Sequence, residues 1–294
     1  MEIALLIDAN EEYRGNFISD YNLIWGSDAN GLKSICKKID KIVSNKIDYI
    51  YFGNEFCEYR IPSVEQLSKM LDICNNNNLT CVLVTPVVTD FGINQIANLL
   101  DYLDQNVISL DIVVNDMGVL ELIRQKGYLG KIIVGRILEK SSHDCRATKK
   151  ELDEYYGENG MKFAKTPGVI SVFSKKVFER YGVYRYEFDL SKVGIELPFN
   201  GNYSLYWPYS YLTTGRVCMF RSLDLNEMDK FLVGDKVCGR KCLQYKVEKR
   251  KPINGYSVDK AVDMFLFQKG NTLFFINEDV EDYLGYFNRL IIQL

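Results

Sequence analysis

Residues 48–86 read DYIYFGNEFCEYRIPSVEQLSKMLDICNNNNLTCVLVTP, and this stretch sets the fold class. Tyr49 to Phe52 is an aromatic and β-branched apolar run ended by Gly53, the composition of a buried strand. From Ser63 to Asn75 the apolar residues recur at helical spacing, and Asn75 to Asn78 form a polar turn that ends the helix. Thr80 to Pro86 is a second apolar run. Strand, amphipathic helix and strand in this order imply a right-handed βαβ unit with parallel strands.

The alternation extends in both directions. Further apolar runs lie at Ile3 to Ile7, Leu110 to Val114, Lys131 to Leu138, Val183 to Leu190, Tyr203 to Pro208 and Arg289 to Leu294. Helical patterns fit Gly31 to Val43, Gly92 to Leu103, Met117 to Lys126 and Lys149 to Tyr156. Eight strands with intervening helices predict an α/β fold, a (β/α)8 TIM-like barrel spanning 1–294 as one domain. Residues 210–282 read as an insertion late in the chain. It carries three cysteines and then MFLFQKGNTLFFIN (264–277), whose KGN turn suits an antiparallel hairpin. No helix follows Leu294, so the expectation is a barrel that is incomplete or closed by a partner.

Composition narrows the function classes. The chain is 47% hydrophobic with a formal charge of −3, which gives no global attraction to nucleic acid or anionic membrane. The start, MEIALLIDANEEYRG, lacks the basic region of a signal peptide. No apolar run reaches the roughly 18 residues of a membrane span. The expectation is a cytoplasmic protein whose eight cysteines are reduced. HExxH, GxSxG, Walker and GxGxxG motifs are absent, and triad hydrolysis would depend on the single histidine, His143.

The cysteines carry the strongest signal. Cys218 is followed by Cys238 and Cys242, the last two separated by three residues, and soft thiolates select zinc or iron–sulfur clusters that prefer four sulfur ligands. Cys57, in the loop after a buried strand, is the expected fourth. Cys36, Cys74 and Cys81 fall at core positions of helices and a strand. Cys145 lies two residues from His143, and only an irregular loop could turn both to one ion. Lys236, Arg240, Lys241, Lys246, Lys249, Arg250 and Lys251 crowd around the last two cysteines, where they could offset a tetrathiolate's negative charge, bind phosphates or form a solvated face.

A barrel keeps its chemistry at the carboxyl ends of its strands. Those ends carry Asn54, Cys57 and Arg60, then Thr85, Asn115, Asp116, Arg136, Glu187, Asp189, Trp207 and Tyr209. Arg60 and Arg136 fit an anion clamp, Asp116 or Glu187 a base, and Trp207 a stacking surface for a ring. The structural alternative is that strand-end Asp and Arg pair with each other or cap helices.

With these residues assembled, the sequence resembles the collagenase-like peptidase family, particularly its UbiU/UbiV branch. The resemblance rests on DYIYFGNEFCEYR leading into SVEQLSKMLDICNNNNLTCVLVTP, on DIVVNDMGVLELIRQKGYLGKIIVGRIL, and on GRVCMFRS with VCGRKC. It runs from about Asp48 to Cys242 and weakly onward to Leu294. It implies a [4Fe-4S] cluster on Cys57, Cys218, Cys238 and Cys242, with zinc as the alternative. The scatter of these ligands over about 185 positions also departs from the short knuckles of structural zinc sites. The branch's roles imply oxygen-independent hydroxylation of an organic ring, or of RNA bases, under anaerobic conditions and alongside a homologous subunit. The other reading is a non-catalytic cluster-bearing subunit that stabilises or feeds electrons to that partner. Proteolysis fits less well. The chain departs from its relatives in lacking an asparagine soon after Gly135–Arg136–Ile137–Leu138, in the poor fit of Thr166 to Glu179, and in a longer interval from Cys218 to Cys238.

Overall fold

The computed structural model describes residues 1–9, 32–43, 47–139, 141, 149–223, 225–232, 238–245, 247–249, 266–277 and 280–293. Eight parallel strands close into a barrel: β1 (Glu2–Ile7), β2 (Tyr49–Gly53), β3 (Thr80–Val84), β4 (Asp111–Val114), β5 (Ile132–Val134), β6 (Val183–Phe188), β7 (Tyr203–Trp207) and β12 (Arg289–Gln293). Each predicted strand is present. The expectation of an incomplete or partner-closed barrel is corrected, because β12 pairs in parallel with β1 on one side and β7 on the other.

Helices α1 (Leu32–Val43), α2 (Val64–Asn76), α3 (Asp90–Gln105), α4 (Met117–Gln125), α5 (Lys149–Lys165) and α6 (Val172–Glu179) lie in the connections up to β6. Ser63 and Gln66 start α2 with a reciprocal capping box. α6 was not foreseen: Pro167 and Gly168 interrupt the pattern before it, and Ser171 caps it afresh. The connection from β6 to β7 contains no helix, and an insertion separates β7 from β12.

Small and medium side chains such as Ala4, Val82, Val113 and Ile133 fill the barrel with Tyr51 and Tyr206, while the outer faces of the strands pack on the helices. The insertion forms a second, antiparallel sheet in the order β8 (Tyr209–Thr214), β11 (Thr272–Ile276), β10 (Leu266–Lys269) and β9 (Val247–Lys249). The predicted hairpin is β10–β11, turned at Gly270 and Asn271, with glycine at the first turn position and φ +62° there. This sheet covers part of the carboxyl-end mouth. Phe56, beyond β2, meets Phe274 edge-on at 5.4 Å and Tyr211 at 5.5 Å, and Gln293 of β12 donates to the Tyr209 carbonyl at 3.0 Å.

Candidate functional site

The end of β2 builds one wall of the site. A Cβ on Gly53 would stand 2.2 Å from the Val84 carbonyl oxygen, so only glycine lets β2 turn out here, at φ +134°. Asn54 then accepts hydrogen bonds from the backbone N–H groups of Phe56 and Cys57, both at 2.9 Å, and donates to Asp8 at 2.7 Å. This short turn fixes Cys57 at the start of a 3-10 turn over Glu58–Arg60. Glu58 accepts from the N–H and hydroxyl of Thr89 at 2.8 and 2.7 Å, tying the loop to the start of α3.

The insertion supplies the opposite wall. Cys218 precedes the short helix α7 (Met219–Ser222), and the backbone N–H groups of Arg221 and Phe220 face its thiol. Cys242 is in a 3-10 turn entered through left-handed Arg240. Cys57, Cys218, Cys238 and Cys242 all line a single cavity of about 90 Å³ between β2, the hairpin and the insertion. Cys242 is buried and the other three are partly so. Among the described residues, no group of three or more His, Cys, Asp or Glu side chains is arranged to hold a single metal ion.

Burial dominates the electrostatics. It pushes the Cys57 thiol up to about 12, against the opposing pull of the Tyr59 N–H and the Arg60 guanidinium. Burial also raises Cys218 and Cys242, the latter again opposed by Arg60. The thiols raise one another as well, which favours their protonated form. Four thiols around one small cavity, with N–H donors and a buried guanidinium beside them, fit the donor set of an iron–sulfur cluster.

Other strand-end residues behave differently from their expected roles. Arg136 is 0% exposed: it donates to both oxygens of Glu55 at 3.0 and 2.6 Å, to Asp189 at 2.7 Å, and to the Tyr209 carbonyl at 3.1 Å. Tyr206 and Phe56 cover the guanidinium at 3.9 and 5.1 Å. Its hydrogen-bonding edges are taken, so it is a brace under the cavity rather than an anion clamp. Asp116 is also corrected: it caps α4 through the Gly118 N–H at 2.7 Å, accepts from Val88 at 3.3 Å, and does not line the cavity. Arg60 is on the cavity wall, in a 2.7 Å ion pair with Asp8. Trp207 is buried, donates to the Asn277 carbonyl at 2.9 Å and does not line the cavity, so it offers no stacking face there. Asn115 bridges the Thr85 carbonyl and the Ile137 N–H, and Glu187 is inside the barrel, bonded to Tyr206 at 2.8 Å. His143, Cys145, Lys236, Lys246, Arg250 and Lys251 lie outside the described residues, as do the side chains of Cys36 and Lys249.

Three site residues escaped the sequence reading: Asp8 at the end of β1, Glu55 under Arg136, and Asn271 in the hairpin turn. Asp8 alone carried a local signal, as an acid directly after the apolar run of β1. Residues 35–134 match the family model of peptidase family U32. The match runs from α1 through β5, includes the Cys57 loop, and supports the family resemblance. No curated protein and no solved structure gave a match.

Proposed function

We propose that the chain is an iron–sulfur protein that carries a [4Fe-4S] cluster on Cys57, Cys218, Cys238 and Cys242. We further propose that it serves oxygen-independent hydroxylation of a small organic ring, the role of the UbiU/UbiV branch that its sequence resembles, alongside a homologous partner chain. One observation carries the reading: thiols about 185 positions apart in sequence meet on a single cavity at the carboxyl-end mouth. A thiolate-held cluster supplies one-electron redox chemistry that no side chain here can provide. The chain's own residues supply the setting. Arg60 offsets negative charge beside Cys57 and Cys242, backbone N–H groups of Tyr59, Phe220 and Arg221 donate toward sulfur, and Phe56, Phe267 and Phe274 keep water from one side.

A second reading, a non-catalytic subunit that stabilises or passes electrons to a homologous partner, is favoured by a specific feature. The acids on the cavity wall are all engaged: Asp8 with Arg60, Glu55 with Arg136, and Glu58 with Thr89. None is left as an evident general base.

Protein purified without oxygen is expected to be brown with about four irons and four sulfides per chain, and Cys57→Ala, Cys218→Ala, Cys238→Ala and Cys242→Ala are each expected to deplete them. Stoichiometric zinc, or full iron retention in Cys57→Ala, would overturn the cluster assignment. Deleting the gene under anaerobic growth and comparing metabolites and modified nucleosides by mass separates the roles. A missing product one oxygen heavier than its accumulating precursor identifies a hydroxylase and its substrate, small ring or RNA. Unchanged profiles with loss of a homologous protein favour the subunit role, and loss of peptide cleavage favours a peptidase.

A further inference from the structure

We infer that Asn271, at the tip of the β10–β11 hairpin, is the positioning residue that draws the two walls of the thiol cavity together. Its side-chain amide nitrogen donates to the Phe56 carbonyl at 2.6 Å and to the Gly215 carbonyl at 2.6 Å. Phe56 immediately precedes Cys57, and Gly215 lies three residues before Cys218. One carboxamide has two N–H hydrogens on one atom, so a single side chain clamps the barrel loop and the insertion loop at once. The Asn271 backbone carbonyl accepts from the Gly215 N–H at 3.3 Å, and Thr272 donates to the side-chain Oδ1 at 3.2 Å, which holds the carboxamide in this orientation.

The same tip reaches a third thiol. A Cβ built on Gly270 would stand 3.5 Å from the Cys242 Cβ and 3.7 Å from its sulfur. Gly270 supplies the left-handed turn that Asn271 needs to face both loops, and it sits against Cys242 while doing so. Three of the four thiol segments therefore converge on two consecutive residues of one turn. Asp in place of Asn271 keeps the size but loses both donors, and it sets a carboxylate against two carbonyl oxygens.

This role depends on the four-thiol reading only for what the cavity holds, so the test begins with metal-free full-length protein. Timed alkylation with iodoacetamide, read peptide by peptide, is compared in wild type, Asn271→Ala and Asn271→Asp. Cys57 and Cys218 are expected to react about tenfold faster in both variants, as loss of two hydrogen bonds loosens the loops. Cys74 and Cys81, buried in the barrel shell away from the hairpin, are expected to keep their wild-type rates. Unchanged rates at Cys57 and Cys218, or an equal rise at Cys74 and Cys81 in both variants, overturns the inference. Reconstitution with iron and sulfide gives a second readout, in which the variants are expected to show a shifted midpoint potential as well as lower iron content. A wild type that takes up no iron rejects the cluster reading and leaves the alkylation result to decide the clamp.

Discussion

Glu187 is a carboxyl group inside the barrel whose Oε2 accepts from Tyr206 at 2.8 Å. Burial, with Glu55 adding to it, pushes the group from 4.5 up to about 7 against the Tyr206 hydrogen bond. Across that window the folded state keeps a proton that the unfolded chain has released, so stability falls as pH rises from about 4.5 to about 7 and then levels off. The full penalty is about 3 kcal/mol, and Glu187→Gln is expected to remove it. Urea unfolding of both proteins at several pH values checks this: the variant's advantage should grow across the window, and parallel profiles would sink the idea. Arg136 shows why such residues were only half legible. A strand-end arginine is visible in sequence, but its brace is Glu55, 81 positions away, and no local pattern reveals that pairing. Asn271 is harder still, since its partners are 215 and 56 positions distant. Cys57 was readable because the loop after a buried strand has one place to go in a barrel.

At the level of elements, Asp116 tests whether a strand-end acid serves its helix. As the cap of α4 it satisfies the Gly118 N–H, so Asp116→Ala is expected to cost about 1 kcal/mol in denaturant unfolding and, under the proposed cluster assignment, to leave the iron content unchanged. Loss of iron with unchanged stability would return Asp116 to the site. The strands of the barrel were legible because each is a short apolar run bounded by turn residues, down to β5 with its three residues. β8 was not: Tyr209–Thr214 follows β7 after a single proline and mixes polar with aromatic residues, which suits a sheet edge over a mouth better than a buried strand. α6 was hidden by the Pro167–Gly168 break that precedes it.

For the molecule as a whole, closure depends on β12. Leu290, Ile291 and Ile292 are fully buried, Arg289 bonds Glu2 and Tyr51 at 2.8 and 2.9 Å, and both ladder edges are paired. Truncation before Arg289 would open β1 and β7 together and is expected to abolish the cooperative thermal transition in circular dichroism. A truncated chain that still melts cooperatively would show that the other seven strands hold a barrel without it.

The hairpin that carries Asn271 also sets a clock on synthesis. At about 5–20 residues per second, Cys242 follows Cys57 out of the ribosome by on the order of 10–40 s, and Asn271 comes later still. During that interval the set of four cavity thiols is incomplete. Under the proposed cluster assignment, the four ligands coexist only once the chain has passed Cys242, so the cluster would be delivered late in synthesis or after it.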